Sequence, residues 1–270
     1  RSTLLNLELV HATGGAAGRT VSRSQGDAPM SSRMLKVLNI CAWSGPATVG
    51  VTFLGWLIAG VLPFPLGPGS SPEHVLSFYT DDNTLLKVGL VIATIGMALT
   101  LPMCAAISVH MVHMEGRTPI LSFLQLASAA VAQLLLLLPL LLMAVIAFGA
   151  PDRMSDSLVF SLNDITWLLF LTPIAPIMVQ MAAIGVAILN DETNIFPRWV
   201  GYLNFWIALS FLPDVLAYFF FSGPFGWNGI FIFWLATTTY AIWLFVMPWA
   251  VRRANAELFM AESQSVVALA

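Results

Sequence analysis

Nearly all charged residues of this chain lie at its two ends and in short connecting segments, and long apolar runs lie between them. Only 9% of the 270 residues are Asp, Glu, Lys or Arg, whereas a soluble domain contains roughly 25%. A chain with so few charges cannot face water on all sides, so lipid is the expected solvent. The pattern excludes a secreted disulfide scaffold, a disordered chain and a conventional cytosolic enzyme.

Six of the apolar runs are long enough to cross a bilayer as helices. About 20 residues are needed, because a helix rises 1.5 Å per residue and the hydrocarbon is about 30 Å thick. The predicted helices cover residues 37–62, 88–113, 120–148, 165–190, 199–221 and 230–251. The sequence therefore predicts an all-α fold, a polytopic transmembrane helical bundle of six spans that occupies residues 35–253.

Every predicted span contains proline. Proline removes a backbone hydrogen bond and crowds the preceding turn, so we expect these helices to bend and to leave carbonyls for their neighbours to satisfy. The residues concerned are Pro46, Pro102, Pro139, Pro173, Pro176, Pro213 and Pro248. A bundle of bent helices has room for cavities.

The distribution of Lys and Arg predicts the orientation of the bundle. Nine of the eleven lie in the N-terminal segment, the second and fourth connections and the C-terminal segment, and only Lys87 and Arg153 lie elsewhere. Cytoplasmic segments of membrane proteins are enriched in Lys and Arg. We therefore expect both termini in the cytoplasm, which requires an even number of spans.

The two ends of the chain are less apolar than its middle. Residues 1–34 are rich in Gly, Ser and Arg and have no apolar run of the kind that marks a signal peptide. We interpret them as a disordered cytoplasmic tail or a start-site extension, with Met30 or Met34 as a natural start. Residues 254–270 are expected to form a short cytoplasmic tail, or a frayed or interfacial helix.

Asp214 is the one acidic residue predicted to lie well inside a span. A carboxylate there costs roughly 2.5–3.5 kcal/mol on insertion scales, so it should face the bundle interior or a water-filled cavity. Tyr202, Trp206, Ser210 and Tyr218 share its spacing of four residues. The spacing predicts a polar and aromatic stripe that lines one side of a groove.

Three interpretations of Asp214 remain open from the sequence. An ionised carboxylate would pair with a cation, although no Lys or Arg falls inside a predicted span. A neutral carboxyl would donate a hydrogen bond or a proton. Alternatively, the side chain caps the bend at Pro213 or holds helices together.

Polar side chains on other helices fall at a similar depth and are expected to surround Asp214 if the helices pack face to face. They are Gln133 in the third span, Gln180 in the fourth, and Thr237, Thr238, Thr239 and Tyr240 in the sixth. The predicted ligand-binding set is Asp214, Tyr218, Ser210, Trp206, Gln180, Gln133 and Tyr240. Asp214 is the only candidate for a catalytic residue.

His110 and His113 have a spacing that places two imidazoles on one helical face, as some metal sites require. Asp191 or Glu192 would have to supply a further ligand. An isolated pair of histidines is weak evidence, and solvated interfacial histidines are the favoured interpretation. We therefore predict no metal, and the sequence indicates no particular cofactor.

Two further expectations concern the ends of the spans. Trp199 and Trp249 fall at predicted inner ends, and Trp167 and Trp227 fall at outer ends, as in an aromatic belt.

At the outer surface, Asn163 and Asp164 precede the predicted fourth helix and are expected to cap it. The first outer connection, at residues 70–87, is expected to be a solvated loop.

One part of the chain resembles known proteins. Residues 196–206 (FPRWVGYLNFW) and 222–229 (SGPFGWNG) are similar to a stretch found in uncharacterised bacterial, largely actinobacterial, integral membrane proteins. The resemblance covers about the last third of the chain. It implies a bacterial inner membrane and no particular activity.

Three functions are compatible with these features. The first is a transporter-like or accessory component that binds a hydrophobic small molecule or lipid within its bundle. The second is a membrane-embedded enzyme, of cyclase or isomerase type, that uses Asp214 as general acid or base. The third is a structural subunit of a membrane complex. The expected partners are membrane lipids, a hydrophobic small molecule, and a protein partner or a second copy, but no nucleic acid.

Overall fold

The computed structural model describes residues 32–269, and every regular element within that range is helical. Six segments are long and apolar enough to cross a membrane: Arg33–Ile58, Asn83–Glu115, Ile120–Gly149, Asp156–Asn190, Arg198–Tyr218 and Ile230–Glu257. For the described residues, the prediction of an all-helical fold with six helical segments of membrane-spanning length is thereby confirmed. The interpretation of residues 1–34 as a tail lies outside the described residues, except that a helix already begins at Ser32.

The helices are numbered in chain order. They are α1 (Ser32–Ile58), α2 (Pro72–Thr80), α3 (Asn83–Ala98), α4 (Thr100–Glu115), α5 (Ile120–Gly149), α6 (Asp156–Leu171), α7 (Ile174–Asn190), α8 (Arg198–Ser210) and α9 (Leu235–Leu269). Short 3₁₀ segments cover Leu212–Tyr218 and Gly223–Phe225, and a π-helical turn covers Ile230–Trp234.

Three spans are interrupted near their middles. The second span breaks between α3 and α4, the fourth between α6 and α7, and the fifth where α8 changes to a 3₁₀ segment. Pro102, Pro173 and Pro213 lie at or just after these breaks, where a missing N–H costs least. The helices around Pro46, Pro139 and Pro248 are not interrupted.

The fourth span begins earlier than the sequence predicted. It starts at Asp156 instead of residue 165, so Asn163 and Asp164 lie inside α6 and do not cap a helix. Asn163 is fully buried, and its Oδ1 accepts a hydrogen bond of 3.1 Å from the hydroxyl of Tyr79. The prediction was wrong because Asn163 has a hydrogen-bonding partner on another helix. Such a partner allows a polar residue to lie within a buried helix.

The connection at residues 70–87, for which the sequence predicts a solvated loop, contains the helix α2. Ser71 caps α2, its side chain accepting from the N–H of His74, and Pro72 occupies the first turn. Val75 and Tyr79 are buried against the bundle. Burial raises the pKa of Tyr79 above its usual range, with a smaller contribution from the charge of Asp164.

The predicted outer aromatic belt is also wrong. Trp167 and Trp227 are buried, and the indole N–H of Trp227 donates to the carbonyl of Leu66 at 2.7 Å. Trp199 and Trp249 are about half exposed, and their ring centroids lie 5.6 Å apart. Trp167 and Trp227 belong to one buried apolar cluster together with Leu66 before α2 and with Val75 and Tyr79 on α2.

The last helix continues beyond the expected boundary at residue 253. Asn255, on α9, is buried and donates to the side-chain oxygen of Asn39 on α1 at 3.0 Å. Residues 254 and 255 therefore belong to the bundle and not to the predicted tail.

Helices α1 and α3 approach each other closely through glycine. A Cβ added to Gly55 would lie 2.6 Å from the carbonyl oxygen of Gly89, and one added to Gly89 would lie 2.5 Å from that of Gly55. Real Cβ atoms do not come so near backbone atoms. The absence of side chains at these two positions thus sets the distance between the helices.

The glycines of α1 supply a matched test of this contact. Gly55→Ala should destabilise the protein by about 1–3 kcal/mol, because the methyl group would overlap α3. Gly50 has nothing within 4 Å of an added Cβ, so Gly50→Ala should stabilise α1 by up to about 1 kcal/mol. Thermal unfolding of the two variants in detergent measures the difference. Equal shifts would contradict the proposed role of Gly55.

Candidate functional site

The position of Asp214 follows from the break in the fifth span. Helix α8 ends at Ser210, and the chain continues as a 3₁₀ segment in which Pro213 occupies the first turn. The backbone N–H of Asp214 donates to the carbonyl of Phe211 at 3.1 Å. This turn directs the Asp214 side chain into the protein, where the residue is 1% exposed.

Asp214 lines a partly open cavity of about 70 Å³. The wall is mostly apolar, and it includes Trp56, Met97, Leu136, Phe170, Phe211 and Leu244. The polar residues in the lining are Thr48, Thr52, Asp214, Thr237 and Tyr240. Since a cavity of roughly 10–15 Å³ holds one water molecule, this cavity has room for several atoms of a ligand. We call it the Asp214 cavity.

The breaks in three spans meet at this cavity. Its lining includes Met97 from the end of α3, Leu171 and Pro173 from the break between α6 and α7, and Phe211 from the end of α8. Irregular backbone at membrane depth is tolerated where it is buried in protein or lines a cavity. Broken helices that converge on one point are also typical of binding sites in transporters.

Two buried oxygens in the cavity lining have no hydrogen-bond partner among the described residues: Oδ1 of Asp214 and Oγ1 of Thr52. Leaving a buried polar atom unpaired costs about 1–3 kcal/mol. By contrast, the neighbouring Thr48 hydroxyl donates to the carbonyl of Ser44 at 2.9 Å. Asp214 and Thr52 thus line the cavity, and each has an oxygen that no described residue satisfies.

No basic side chain balances Asp214 within the part of the chain that is described. Neither Lys nor Arg lines its cavity. The one ion pair among the described residues joins Arg253 and Glu257 at the end of the sixth span. An unpaired carboxylate in an apolar site is strongly unfavourable. The site thus accommodates either a neutral carboxyl that donates a hydrogen bond or a carboxylate that faces a cationic group of a ligand.

Only Asp214 and Tyr240 of the predicted ligand-binding set line the cavity. Trp206 is 70% exposed on the surface of the bundle. Tyr218 is also exposed, and its hydroxyl oxygen lies 2.6 Å from that of Thr172. Ser210 is 2.8 Å from the hydroxyl of Thr239 and does not reach the cavity. The predicted stripe is therefore wrong. Tyr202 and Trp206 are exposed on α8, and within the 3₁₀ segment Asp214 is buried but Tyr218 is exposed, because residues four apart do not share a face of a helix with three residues per turn.

The two glutamines bridge helices outside the cavity lining. Gln133 on α5 donates to the carbonyl of Met97 at 2.8 Å, close to the break between α3 and α4. Gln180 on α7 donates to Sγ of Cys104 at 3.4 Å. Gln133 thus contacts the backbone of a cavity residue, and the side-chain nitrogen of each glutamine donates to another helix.

The two histidines do not converge on one point. Nε2 of His110 is 3.0 Å from Oδ1 of Asn255, whereas His113 is exposed and its Nδ1 is 2.7 Å from the carbonyl of Val109. The carboxylate of Asp191, which we considered as a further ligand, accepts from the backbone N–H groups of Thr193 and Ile195. Among the described residues, no three potential metal ligands lie together.

Thr52 was missed by the sequence reasoning. The signal was present, since Thr48 and Thr52 are spaced by four residues within an apolar span and so share a helical face. Threonine is common in membrane helices, where its hydroxyl usually bonds to the preceding turn. Only the packing around α1 distinguishes Thr52, whose hydroxyl is unpaired, from Thr48.

Two buried polar residues of the fifth span should respond oppositely to the same change. Asp214→Leu should stabilise the protein by about 1–3 kcal/mol, because it removes an unpaired buried oxygen. Asn204→Leu should destabilise it by a similar ~1–3 kcal/mol, because Oδ1 of Asn204 accepts from the buried indole N–H of Trp243 at 2.9 Å. Thermal unfolding in detergent compares them. Destabilisation by both would indicate a structural partner for Asp214.

No protein-family model, curated protein or solved structure matches this chain. Its function is therefore inferred from its own residues.

Proposed function

We propose that this protein is a multi-pass protein of the bacterial inner membrane that binds a hydrophobic small molecule or lipid within its helix bundle, as a transporter-like or accessory component. The observation that carries this proposal is the Asp214 cavity, where broken helices and two unpaired buried oxygens meet. A protein that merely packs its helices gains nothing from leaving these oxygens unpaired. A protein that binds a ligand there recovers the cost when the ligand supplies the partner.

The lining of the cavity defines the ligand chemically. The large apolar wall matches a hydrocarbon or aromatic group, and the oxygens of Asp214 and Thr52 match one polar group with hydrogen-bonding capacity. The cavity volume of about 70 Å³ limits the enclosed part to a few atoms. Val49, Phe53 and Leu136 in the lining are only half-buried, so a longer ligand would extend between these residues towards the lipid.

One observation favours the alternative of a membrane-embedded enzyme. Catalysis with Asp214 as general acid or base needs a second titratable group near the substrate, and Tyr240 lines the same cavity. Asp214 would then transfer a proton to or from an apolar substrate, as a cyclase or isomerase requires.

The orientation in the membrane is part of the proposal. The ends of the chain and two connections hold nine of the eleven Lys and Arg residues, which supports placing both termini in the cytoplasm. The resemblance of residues 196–206 to bacterial membrane proteins supports the inner membrane.

Reporter fusions test this orientation. A cytoplasm-active reporter joined after the C-terminus should be active. The same reporter in the connection at residues 150–155 should be inactive, because that connection would lie outside. Activity only at the second position would overturn the orientation.

Two alanines on α5 test ligand binding. Ala132 is 5% exposed and lines the cavity, whereas Ala130 is exposed on the same helix. Ala132→Leu should fill part of the cavity and displace the ligand, but Ala130→Leu should not. The measurement is mass spectrometry of organic extracts from the proteins, purified in mild detergent from bacterial membranes. A compound should accompany the wild type and Ala130→Leu, and be depleted at least tenfold from Ala132→Leu.

The same extracts separate binding from catalysis. If Asp214→Asn retains less of the same compound, the carboxyl serves binding. If this variant accumulates a chemically different precursor instead, the enzyme alternative is supported. If all four proteins carry identical compounds, the cavity does not bind a ligand and the proposed function is wrong.

A further inference from the structure

A second pocket lies near the C-terminal end of the sixth span, where the apolar run ends. It has a volume of about 410 Å³ and is formed between Trp43 on α1 and Phe245, Trp249, Arg252 and Arg253 on α9. None of these residues lines the Asp214 cavity. We call it the Arg252 pocket.

The two arginines of this pocket are in different situations. Arg253 forms an ion pair of 2.9 Å with Glu257 and lies 5.9 Å from the ring centroid of Trp249. Arg252 lies over the ring of Trp43 at 4.5 Å, and no carboxylate pairs with it in the range whose side chains are described. The stacking orients the Arg252 guanidinium without neutralising its charge.

The rest of the pocket is aromatic and open to the surroundings. Trp43 is 55% exposed, Phe245 53% and Trp249 46%. Exposed tryptophans beside arginines at the end of an apolar helix are typical of the level at which lipid headgroups meet hydrocarbon. The pocket thus places a positive charge next to an apolar surface, and both face the membrane boundary.

We propose that the Arg252 pocket binds an anionic membrane phospholipid. The headgroup phosphate is held by the guanidinium of Arg252, whose planar fork matches two phosphate oxygens. The first part of an acyl chain lies against Trp43 and Phe245. Charge complementarity selects a lipid with net negative charge, because the positive charge of Arg252 is not balanced in the pocket.

The apolar half of the pocket determines this choice of occupant. A free phosphate would contact Arg252 alone and leave the rings of Trp43 and Phe245 uncovered. A phospholipid covers both parts, because its phosphate and its acyl chains are joined within one molecule. This lipid site is independent of the ligand proposed for the Asp214 cavity, since the two share no lining residue.

The test uses the full chain in a neutral detergent, titrated with phosphatidylglycerol or with phosphatidylcholine of the same acyl chains. Native mass spectrometry counts the bound lipid. We expect the wild type to bind phosphatidylglycerol more tightly than phosphatidylcholine, and Arg252→Gln to weaken phosphatidylglycerol binding about tenfold through loss of a charge-assisted hydrogen bond.

Arg153→Gln is the matched control. Arg153 also lies over an aromatic ring, that of Phe148, at 4.8 Å, but outside this pocket. The Arg153→Gln variant should bind phosphatidylglycerol as tightly as the wild type does. An equal effect of both variants, or no effect of either, would overturn the proposal. So would competition by millimolar inorganic phosphate, which would identify a site for the free anion.

A second variant keeps the test decisive if Arg252→Gln fails to fold, as judged by size-exclusion chromatography. Arg252→Lys preserves the charge but not the planar fork. It should bind phosphatidylglycerol more weakly than the wild type and the Arg153→Gln control do, and still prefer phosphatidylglycerol to phosphatidylcholine. Wild-type affinity for phosphatidylglycerol, or equal binding of the two phospholipids, would contradict the proposed role of Arg252.

Discussion

The hydrogen-bonding requirement of the backbone is the constraint on which this structure depends. In hydrocarbon, each N–H and C=O group must find a partner within the protein, so the chain crosses as helices and breaks them only where the break is enclosed. The breaks after α3, α6 and α8 meet this condition together, because Met97, Leu171 and Phe211 all line one cavity. Gln133 adds a hydrogen bond to the carbonyl of Met97 and so supports one of these breaks from α5.

The same breaks create the candidate site. A continuous fifth helix would carry Asp214 on a regular face, whereas the 3₁₀ segment after Ser210 turns it into the protein. Asp214 then lines the same apolar cavity as Thr52, which lies on α1. The close approach of α1 to α3 through Gly55 fixes the helix that carries Thr52. The site therefore depends on packing contacts well away from Asp214.

Sequence reasoning succeeded where a single helix decides the outcome. The number of spans follows from length and hydropathy, and the burial of Asp214 follows from the cost of a charge in lipid. It failed where two elements decide together. Asn163 was expected to cap a helix but is buried opposite Tyr79, and Trp206 was expected at the site but lies on the outer surface. Periodicity cannot reveal these outcomes, because it assumes an unbroken helix and contains no information on neighbours.

The sequence by itself determined the class of protein, the six spans and the one carboxyl group that had to be enclosed, because each follows from the free energy of transferring residues from water to lipid. Only the tertiary structure decided that Asp214 and Thr52 face one cavity and that Arg252 lies over Trp43 without a carboxylate partner in the described range. These outcomes depend on how the helices pack and on where proline breaks them. The breaks rotate one half of a span relative to the other, which the spacing of residues along the chain does not record.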